Sequence, residues 1–543
     1  MGNARIYDCV VIGGGHNGLT AAAYLAKAGK TVCVVERRHV LGGCATTESL
    51  WPGYRVSTAA YVVSLLLPEI IRDLRLRHYG LTILPRNPSS WTPLLDGRSL
   101  LLGPDMRATC REIAKFSTED AEQYPRYTAF LERVADHLEP ILAATAPDSL
   151  PLPSQMRRRG IAKQLRDAGK MWALYRAAGE LGEELRDTIE LLTGAGRPIL
   201  ERWFRSEVLR ATLATDAIIG AFAPPSAPGT AYVLLHHVMG TAGGARGVWG
   251  YVQGGMGGLA DALERACRDL RVDIQREAEV TRILVENGHA RGVCLQDGSI
   301  VEARSVASSV DAHWTFERFI DAERLPESFR QAVAKIDYSS ASAKINLGLA
   351  GLPDFTAAPS PNAAPHHRGT IHLTPTLDFI ERAYDDAKYG RPSAAPVLEI
   401  TIPSVVDPTV APAGKHLMSI FVQYAPYTLA GGQSWDDVKE SFADRCVRLL
   451  ARYAPNITDL IEHRQVLSPV DLERTFRITG GNIMQGAMHP HQLFSMRPVP
   501  GWADHRSPIG GLYLCGAASH PGGGVMGACG RNAATEMLRD LGR

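Results

Sequence analysis

The sequence carries almost no net charge: 58 Lys and Arg stand against 57 Asp and Glu in 543 residues, a formal +1. No global field exists to gather nucleic acid or another polyanion, so those partners are not expected. Long hydrophobic runs are missing as well. No stretch reaches the ~18 apolar residues that a spanning helix needs, and the longest candidates lie near Ala59–Leu67 and Tyr232–Leu235. Cysteines are few and scattered: Cys9, Cys33, Cys44, Cys110, Cys267, Cys294, Cys446, Cys515 and Cys529. They form no C-x-x-C pair and no metal-type cluster. Cys9, Cys33, Cys294 and Cys515 sit in apolar strand-like runs, where cysteine behaves as a small hydrophobe. The set points to a reducing compartment. The first apolar run begins at once as a strand, Tyr7–Ile12. No signal or transit peptide is read there, and a cytoplasmic protein is expected.

What is present is globular. Hydrophobic residues make up 45% and charged residues 21%, which excludes wholesale disorder. The chain is too long for one hydrophobic core. Its N-terminal stretch reads strand (Asp8–Ile12), Ala-rich helix (Gly18–Ala28, ended by Gly29) and β-branched strand (Thr31–Glu36), a βαβ unit. From about Leu67 to Met239 the pattern is mainly helical. Strand-like pieces follow at Arg271–Ile274, Val280–Glu286, His289–Gln296 and Ser299–Ser309, with hairpin turns at Asn287-Gly288 and Asp297-Gly298. Residues 337–427 alternate strands and loops and suggest a sheet beside a ligand cavity. Asp354–His367 reads as a mobile surface loop.

The motif with chemistry in it is Gly13-Gly14-Gly15-His16-Asn17-Gly18, a G-x-G-x-x-G directly after a strand and opening a helix. Gly13 permits a tight turn, Gly15 lets the backbone approach a pyrophosphate, and Gly18 lets helix and strand pack closely. The helix N-terminus offers free N–H groups to phosphates. Glu36 ends the second strand, where a carboxylate accepts hydrogen bonds from ribose hydroxyls and repels a 2′-phosphate. No second fingerprint of this kind is convincing. Gly254–Gly258 comes closest, but a loop containing Trp249 and Tyr251 precedes it.

Glu36 is followed by Arg37 and, five residues on, by Gly42-Gly43. That E-x5-GG pattern resembles flavoproteins of the amine oxidase and phytoene desaturase superfamily. The C-terminal run Gly511–Gly516, His520–Gly524, Gly527 and Gly530–Ala534 resembles the second flavin motif of that superfamily. The segments Ala211–Ala217, Tyr232–Gly240, Trp249–Gly257, Gln423–Tyr427, Asp471–Arg474 and Arg497–Pro500 extend the resemblance over nearly the whole chain. It implies an α/β fold: a Rossmann-like FAD-binding domain of the two-dinucleotide-binding type, interrupted by a substrate domain of helices plus mixed sheet. The implied boundaries are residues 1–70, 245–310 and 470–543 for the FAD domain, 71–244 for a mainly helical cap and 311–469 for a β-rich substrate domain. It implies non-covalent FAD, held by Gly13, Gly14, Gly15, His16, Asn17, Gly18, Glu36, Arg37, Gly42, Gly43, Gly516, Gly523, Gly524 and Val525, with Val280 against the adenine. Eukaryotic relatives are placed in the mitochondrial matrix. The segment Gly481–Gln485 departs from the family pattern: relatives often have Phe-His at its end, so no histidine role is carried to Gln485.

Several constellations have bland readings. Disulfide reductases need two cysteines close in sequence beside the flavin; after Gly42-Gly43 only Cys44 occurs. A flavin thioether at Cys529 has no other support. His489-Pro490-His491 lacks the pattern of a metal site, and no metal is expected. His366-His367 is expected at the surface. Three weak catalytic candidates remain. His520 stands at the start of the C-terminal glycine turn. His237, beside His236, lies in an apolar helical run. Arg497 is read as pairing a carboxylate or a flavin carbonyl. The basic stretch Met156–Arg159, Lys163, Arg166, Lys170 and Arg176 is read as an amphipathic helix on the protein's own core with a solvated basic face. Peripheral membrane contact is the alternative. The expected function is FAD-dependent hydride transfer from an unidentified apolar small molecule, with a quinone or oxygen as electron acceptor. Two alternatives are a redox-neutral double-bond isomerase using reduced FAD and a non-catalytic binding protein on the same fold.

Overall fold

The computed structural model describes residues 5–148, 161–242 and 245–542. Five parallel strands form one sheet in the spatial order Asp273–Gln275, Val32–Val35, Cys9–Ile12, Val306–Ser308, Leu512–Leu514. Except in the half-buried edge strand Asp273–Gln275, their side chains form near-continuous apolar runs because both faces are covered. Cys9, Val11, Val32 and Val34 pack under the helices His16–Lys27, Gly257–Asp269 and Ala528–Leu541. Val10, Ile12, Cys33 and Val35 pack against the hairpin Val280–Glu286/His289–Leu295 and the Phe316, Phe319 and Phe329 rings. Strand order reverses between Cys9–Ile12 and Val306–Ser308. In doubly wound sheets the crevice beyond the carboxyl ends at such a reversal is where ligands sit.

A seven-stranded sheet lies beside it, in the order Ile461–Leu467, Ser342–Leu349, His416–Gln423, Val397–Thr401, Thr370–Leu373, Ser90–Pro93, Ser99–Leu102. Here the alternation of side chains decides the function of each face. Ile345, Leu347, Ile371, Leu398, Ile400, Ile420 and Val422 turn to the helix Trp435–Ala451 and meet Phe442, Cys446 and Leu450. The opposite face is polar and still buried. Strand register lines up Lys344, Phe421, Glu399 and His372 in one row across four strands, with Asn346, Ser419 and Thr401 in the row beside it. A buried polar sheet face must have something to meet, and this one forms the floor of a cavity.

The helices Thr118–Leu142, Leu185–Thr193, Gly196–Trp203, Glu207–Ala214 and Thr230–Val238 close over that floor around Phe130, Leu131, Phe204 and Leu234. The region read as mainly helical also supplies three strands, Ile83–Pro85, Ser90–Pro93 and Ser99–Leu102. Two of them extend the seven-stranded sheet, so cap and sheet share residues. Residues 311–333 pack with the parallel sheet instead, through Ala312, Phe316 and Phe329.

Two surface expectations fail. His366 and His367 are 6% and 0% exposed. Ala364 N–H donates to His367 Nδ1 at 3.1 Å, and His367 Nε2 donates to the Pro353 carbonyl at 3.2 Å. Phe355 and Trp91 pack on His366, so a segment rich in Pro and Ala is pinned by its aromatic and histidine rings. The helix Ile161–Leu181 keeps Arg176 solvated as expected but departs from its expected faces elsewhere. Lys163 is drawn inward to Asp504 and Asp167. Leu165, Trp172 and Tyr175 are 68%, 62% and 69% exposed. Met156–Arg159 lie outside the described residues. Among the described residues no helix is long and apolar enough to cross a membrane.

Candidate active site

A cavity of about 500 Å³ begins at the carboxyl ends of the parallel strands and runs over the polar floor to the helical cap. At its outer end the first glycine turn does what its spacing demands. A Cβ on Gly18 would stand 2.1 Å from the Gly13 carbonyl oxygen, so only glycine allows the helix to start this close to the strand. Gly42 has φ +110°, and a Cβ there would meet the Ala45 carbonyl oxygen at 2.6 Å. Glu36 is gripped at both oxygens: Gly14 N–H donates to Oε2 at 2.7 Å and Arg38 N–H to Oε1 at 2.8 Å. The helix His16–Lys27 has no side-chain cap and no acid in its first turn. Its leading N–H groups are left for an anion. His16 Nε2 and Asn17 Oδ1 are buried beside them without a hydrogen-bond partner. Burial pushes the His16 imidazole down to about 4, so it is neutral.

Gly13, Gly15, His16, Asn17, Glu36, Arg37, Gly42, Gly43, Val280, Gly524 and Val525 all line this cavity. Gly14 and Gly18 stand behind them in the turn. Gly516 and Gly523 do not line it. Gly516 packs on Ser309, and Gly523 packs on Met484 while its carbonyl accepts from His236 Nε2 at 3.1 Å. Gln485 lines the cavity, and its Oε1 accepts from Ala518 N–H at 3.1 Å. Gly254–Gly258 forms no second dinucleotide turn; Gly255 and Gly257 pack on Thr47.

The three catalytic candidates separate. His237 faces the cavity; His520 and Arg497 do not. His520 is fully buried against the Phe494 ring at 5.2 Å. Arg497, 1% exposed, pairs no carboxylate among the described residues and reaches the cavity only through the backbone of residues that line it. Its guanidinium donates to the carbonyls of Met484 at 2.6 Å, Ala517 at 2.7 Å and Gly486 at 3.3 Å, among others. It staples the 484–492 loop to the C-terminal glycine turn. Arg497→Met is expected to destabilise the protein by at least about 3 kcal/mol, because several buried carbonyls lose their donor together. Thermal unfolding checks this; an unchanged midpoint contradicts the staple.

The sequence offers only His237 and the expectation of a sheet beside a ligand cavity at residues 337–427 to mark the inner chamber. Lys344, Glu399, His372, Arg86, Asp216, Tyr61 and His237 share it with Leu102, Leu131 and Leu234. Tyr61 Oη donates to Glu399 Oε1 at 2.6 Å. Lys344 Nζ donates to Asn346 Oδ1 at 2.7 Å and to Ser419 Oγ. It stands 4.9 Å from the Tyr61 ring centroid. Burial pushes the Lys344 ammonium down to about 7 and the Asp216 carboxyl up to about 6, and it raises Glu399. Burial also holds His237 below its usual range and takes His372 to about 3. Most of these groups therefore sit near the point where a proton is easily gained or lost, or are neutral. A period-2 strand with one charged residue in an otherwise apolar run, as in Ser342–Leu349 and Val397–Thr401, is the signal that marks them.

Cys44 lines the cavity, but burial pushes its thiol up to about 12 and no second cysteine lines it. Cys529 Sγ donates to the Ser519 and Gly522 carbonyls. Among the described residues no group of His, Cys, Asp and Glu could hold a metal ion.

Comparison with known proteins agrees with this geometry. The family described as flavin containing amine oxidoreductase matches residues 18–538. A mouse protein, pyridine nucleotide-disulfide oxidoreductase domain-containing protein 2, is 46% identical over 98% of this chain and 94% of its own. One of the limonene dehydrogenase subunits of Castellaniella defragrans is 27% identical over 100% of this chain and 96% of its own. Among solved structures, cyclohexylamine oxidase from Brevibacterium oxydans superposes with a TM-score of 0.58 at 17% identity, covering 99% of this chain and 100% of that one. The strand-order reversal, the uncapped glycine turn and Glu36 fit FAD, and the chain belongs to the flavin containing amine oxidoreductases, a family of FAD-dependent oxidoreductases.

Proposed function

We propose that this enzyme is a dehydrogenase whose inner chamber holds a largely apolar substrate with its reacting carbon at the boundary between the two halves of the cavity. One observation carries the reading: a single continuous cavity joins the Glu36 turn to the buried sheet floor. Glu36 would accept from the adenosine ribose. Gly13–Asn17 would face the pyrophosphate, and Gly42, Gly43, Gly524 and Val525 would pass along the flavin half. Arg37 and Val280 would border the adenine. Bound FAD would supply the two-electron chemistry, acceptance of a hydride from a substrate carbon, with a quinone or oxygen as the final electron acceptor.

The chain's own residues do the rest. The cap excludes water through Leu131, Leu213 and Leu234, and the floor presents groups that exchange protons without a permanent charge. Lys344 stands in the row with Glu399 and His372, and its neutral form accepts a proton at Nζ. The similarity to a limonene dehydrogenase supports a hydrocarbon-like substrate. Anaerobic mixing of the holoenzyme with apolar donors tests the reading. Bleaching of the oxidised flavin by apolar donors, and not by small polar alcohols or amines, is the expected result. Bleaching by polar amines alone contradicts it.

A further inference from the structure

One charge in the inner chamber lies within electrostatic reach of two carboxyl groups, Asp216 and Glu399, yet makes a contact ion pair with neither. Arg86 lies in the segment between Ile83–Pro85 and Ser90–Pro93, lines the cavity and is 4% exposed. Its Nη1 donates to the Thr370 hydroxyl, and its guanidinium stands 5.8 Å from the Tyr251 ring centroid. Nε is buried with no acceptor, and no carboxylate among the described residues forms an ion pair with the group. Glu399 is already engaged by Tyr61. A buried charge is costly unless it is paired and hydrogen-bonded. Burial drives the neighbouring acids, histidines and Lys344 toward their neutral forms, and at Asp216 and Glu399 the Arg86 guanidinium only partly opposes it.

The surroundings narrow the ligand. The other arginine on the chamber wall, Arg246, is committed to Asp136 at 2.7 Å and Glu139 at 2.6 Å. A single guanidinium without a contact ion pair suits a monoanion and matches a carboxylate in shape. The wall beyond it is apolar, with Leu102, Leu131 and Leu234 at 5%, 2% and 3% exposure. We propose that the substrate is an amphipathic acid whose carboxylate docks on Arg86 and the Thr370 hydroxyl while its hydrocarbon body lies along the leucine wall. This deepens the dehydrogenase reading and rests on the inner chamber being the substrate site.

The test is calorimetric titration of the purified holoenzyme with three probes of equal chain length: decanoate, decanol and decylamine. Decanoate is expected to bind at least about tenfold tighter than decanol, the increment of a charge-assisted hydrogen bond. Arg86→Gln is expected to erase that preference with FAD content unchanged, and Arg86→Lys to keep part of it. Should Arg86→Gln fail to fold, Thr370→Val decides, with a several-fold loss of the preference expected. Equal binding of all three probes, tightest binding of decylamine, or a preference that survives loss of the guanidinium overturns the proposal. Calorimetry reads the ranking whether or not any probe reduces the flavin. An FAD-loaded enzyme that ranks the probes otherwise therefore contradicts this proposal alone.

Discussion

Gly18→Val is expected to yield protein with almost no FAD, its apparent affinity reduced at least about a hundredfold. A Cβ at this position would lie 2.1 Å from the Gly13 carbonyl oxygen and 3.2 Å from Ser309 Oγ. Neither neighbour can yield, because Gly13 N–H is tied to the Val35 carbonyl at 2.8 Å and Ser309 Oγ donates to the Ile12 carbonyl at 2.8 Å. The helix His16–Lys27 must then back away from its strand. Its leading N–H groups move with it, and so does the Gly14 N–H that holds Glu36. Overpacking of this kind costs about 1–3 kcal/mol in fold stability, and the displaced anion site adds to the loss in binding, where about 2.7 kcal/mol is a hundredfold. Gly169→Ala is the control. It lies in the helix Ile161–Leu181 with nothing within 4 Å of the added methyl, so FAD content stays and stability rises slightly. The flavin-to-protein absorbance ratio of the two variants checks the pair.

Lys344→Met is expected to slow anaerobic reduction of the bound flavin about a hundredfold, the low end for loss of a positioned acid or base. The step near neutral pH in that rate should vanish with it. Nζ is held by Asn346 and Ser419 above a buried sheet face, and burial brings its ammonium down to about 7. Lys344→Arg does not rescue the rate, because a guanidinium does not release a proton. A KM effect with unchanged kcat contradicts the assignment and leaves Lys344 a binding group. Stability carries the same signature. The unfolded lysine keeps its proton up to its ordinary value of 10.5, so between about 7 and 10.5 the unfolded chain binds more protons and wild-type stability rises with pH. The rise from this group is roughly 2–3 kcal/mol between about pH 7 and about pH 9. Below about 7 both states are protonated and the burial cost is at its full value. The Met variant loses the rise across that window.

The two ends of the site differed in legibility for a physical reason. Gly13, Gly18 and Glu36 act through local backbone geometry, which one βαβ unit fixes within a short stretch of sequence. The inner chamber is assembled by long-range pairing: Lys344, Glu399 and His372 come from three strands and meet only through register. Arg86 joins them from a segment read as part of a helical cap. Arg497 looked like a reactive group because its partners, backbone carbonyls, leave no mark in sequence. His366 and His367 looked exposed because Pro and Ala surround them, yet Phe355 and Trp91 supply a core. The helix Ile161–Leu181 was read from its lysines and arginines, while the acids that draw Lys163 inward lie outside the helix or one turn along it, at Asp504 and Asp167.

The most direct measurement is the cofactor itself. Purified wild-type protein, its absorbance recorded before and after heat denaturation, is expected to show the two visible bands of oxidised flavin and to release one FAD per chain into the supernatant. FMN in place of FAD would contradict the role of Glu36 at the adenosine ribose. A colourless protein that also fails to take up added FAD would contradict the whole assignment of the cavity.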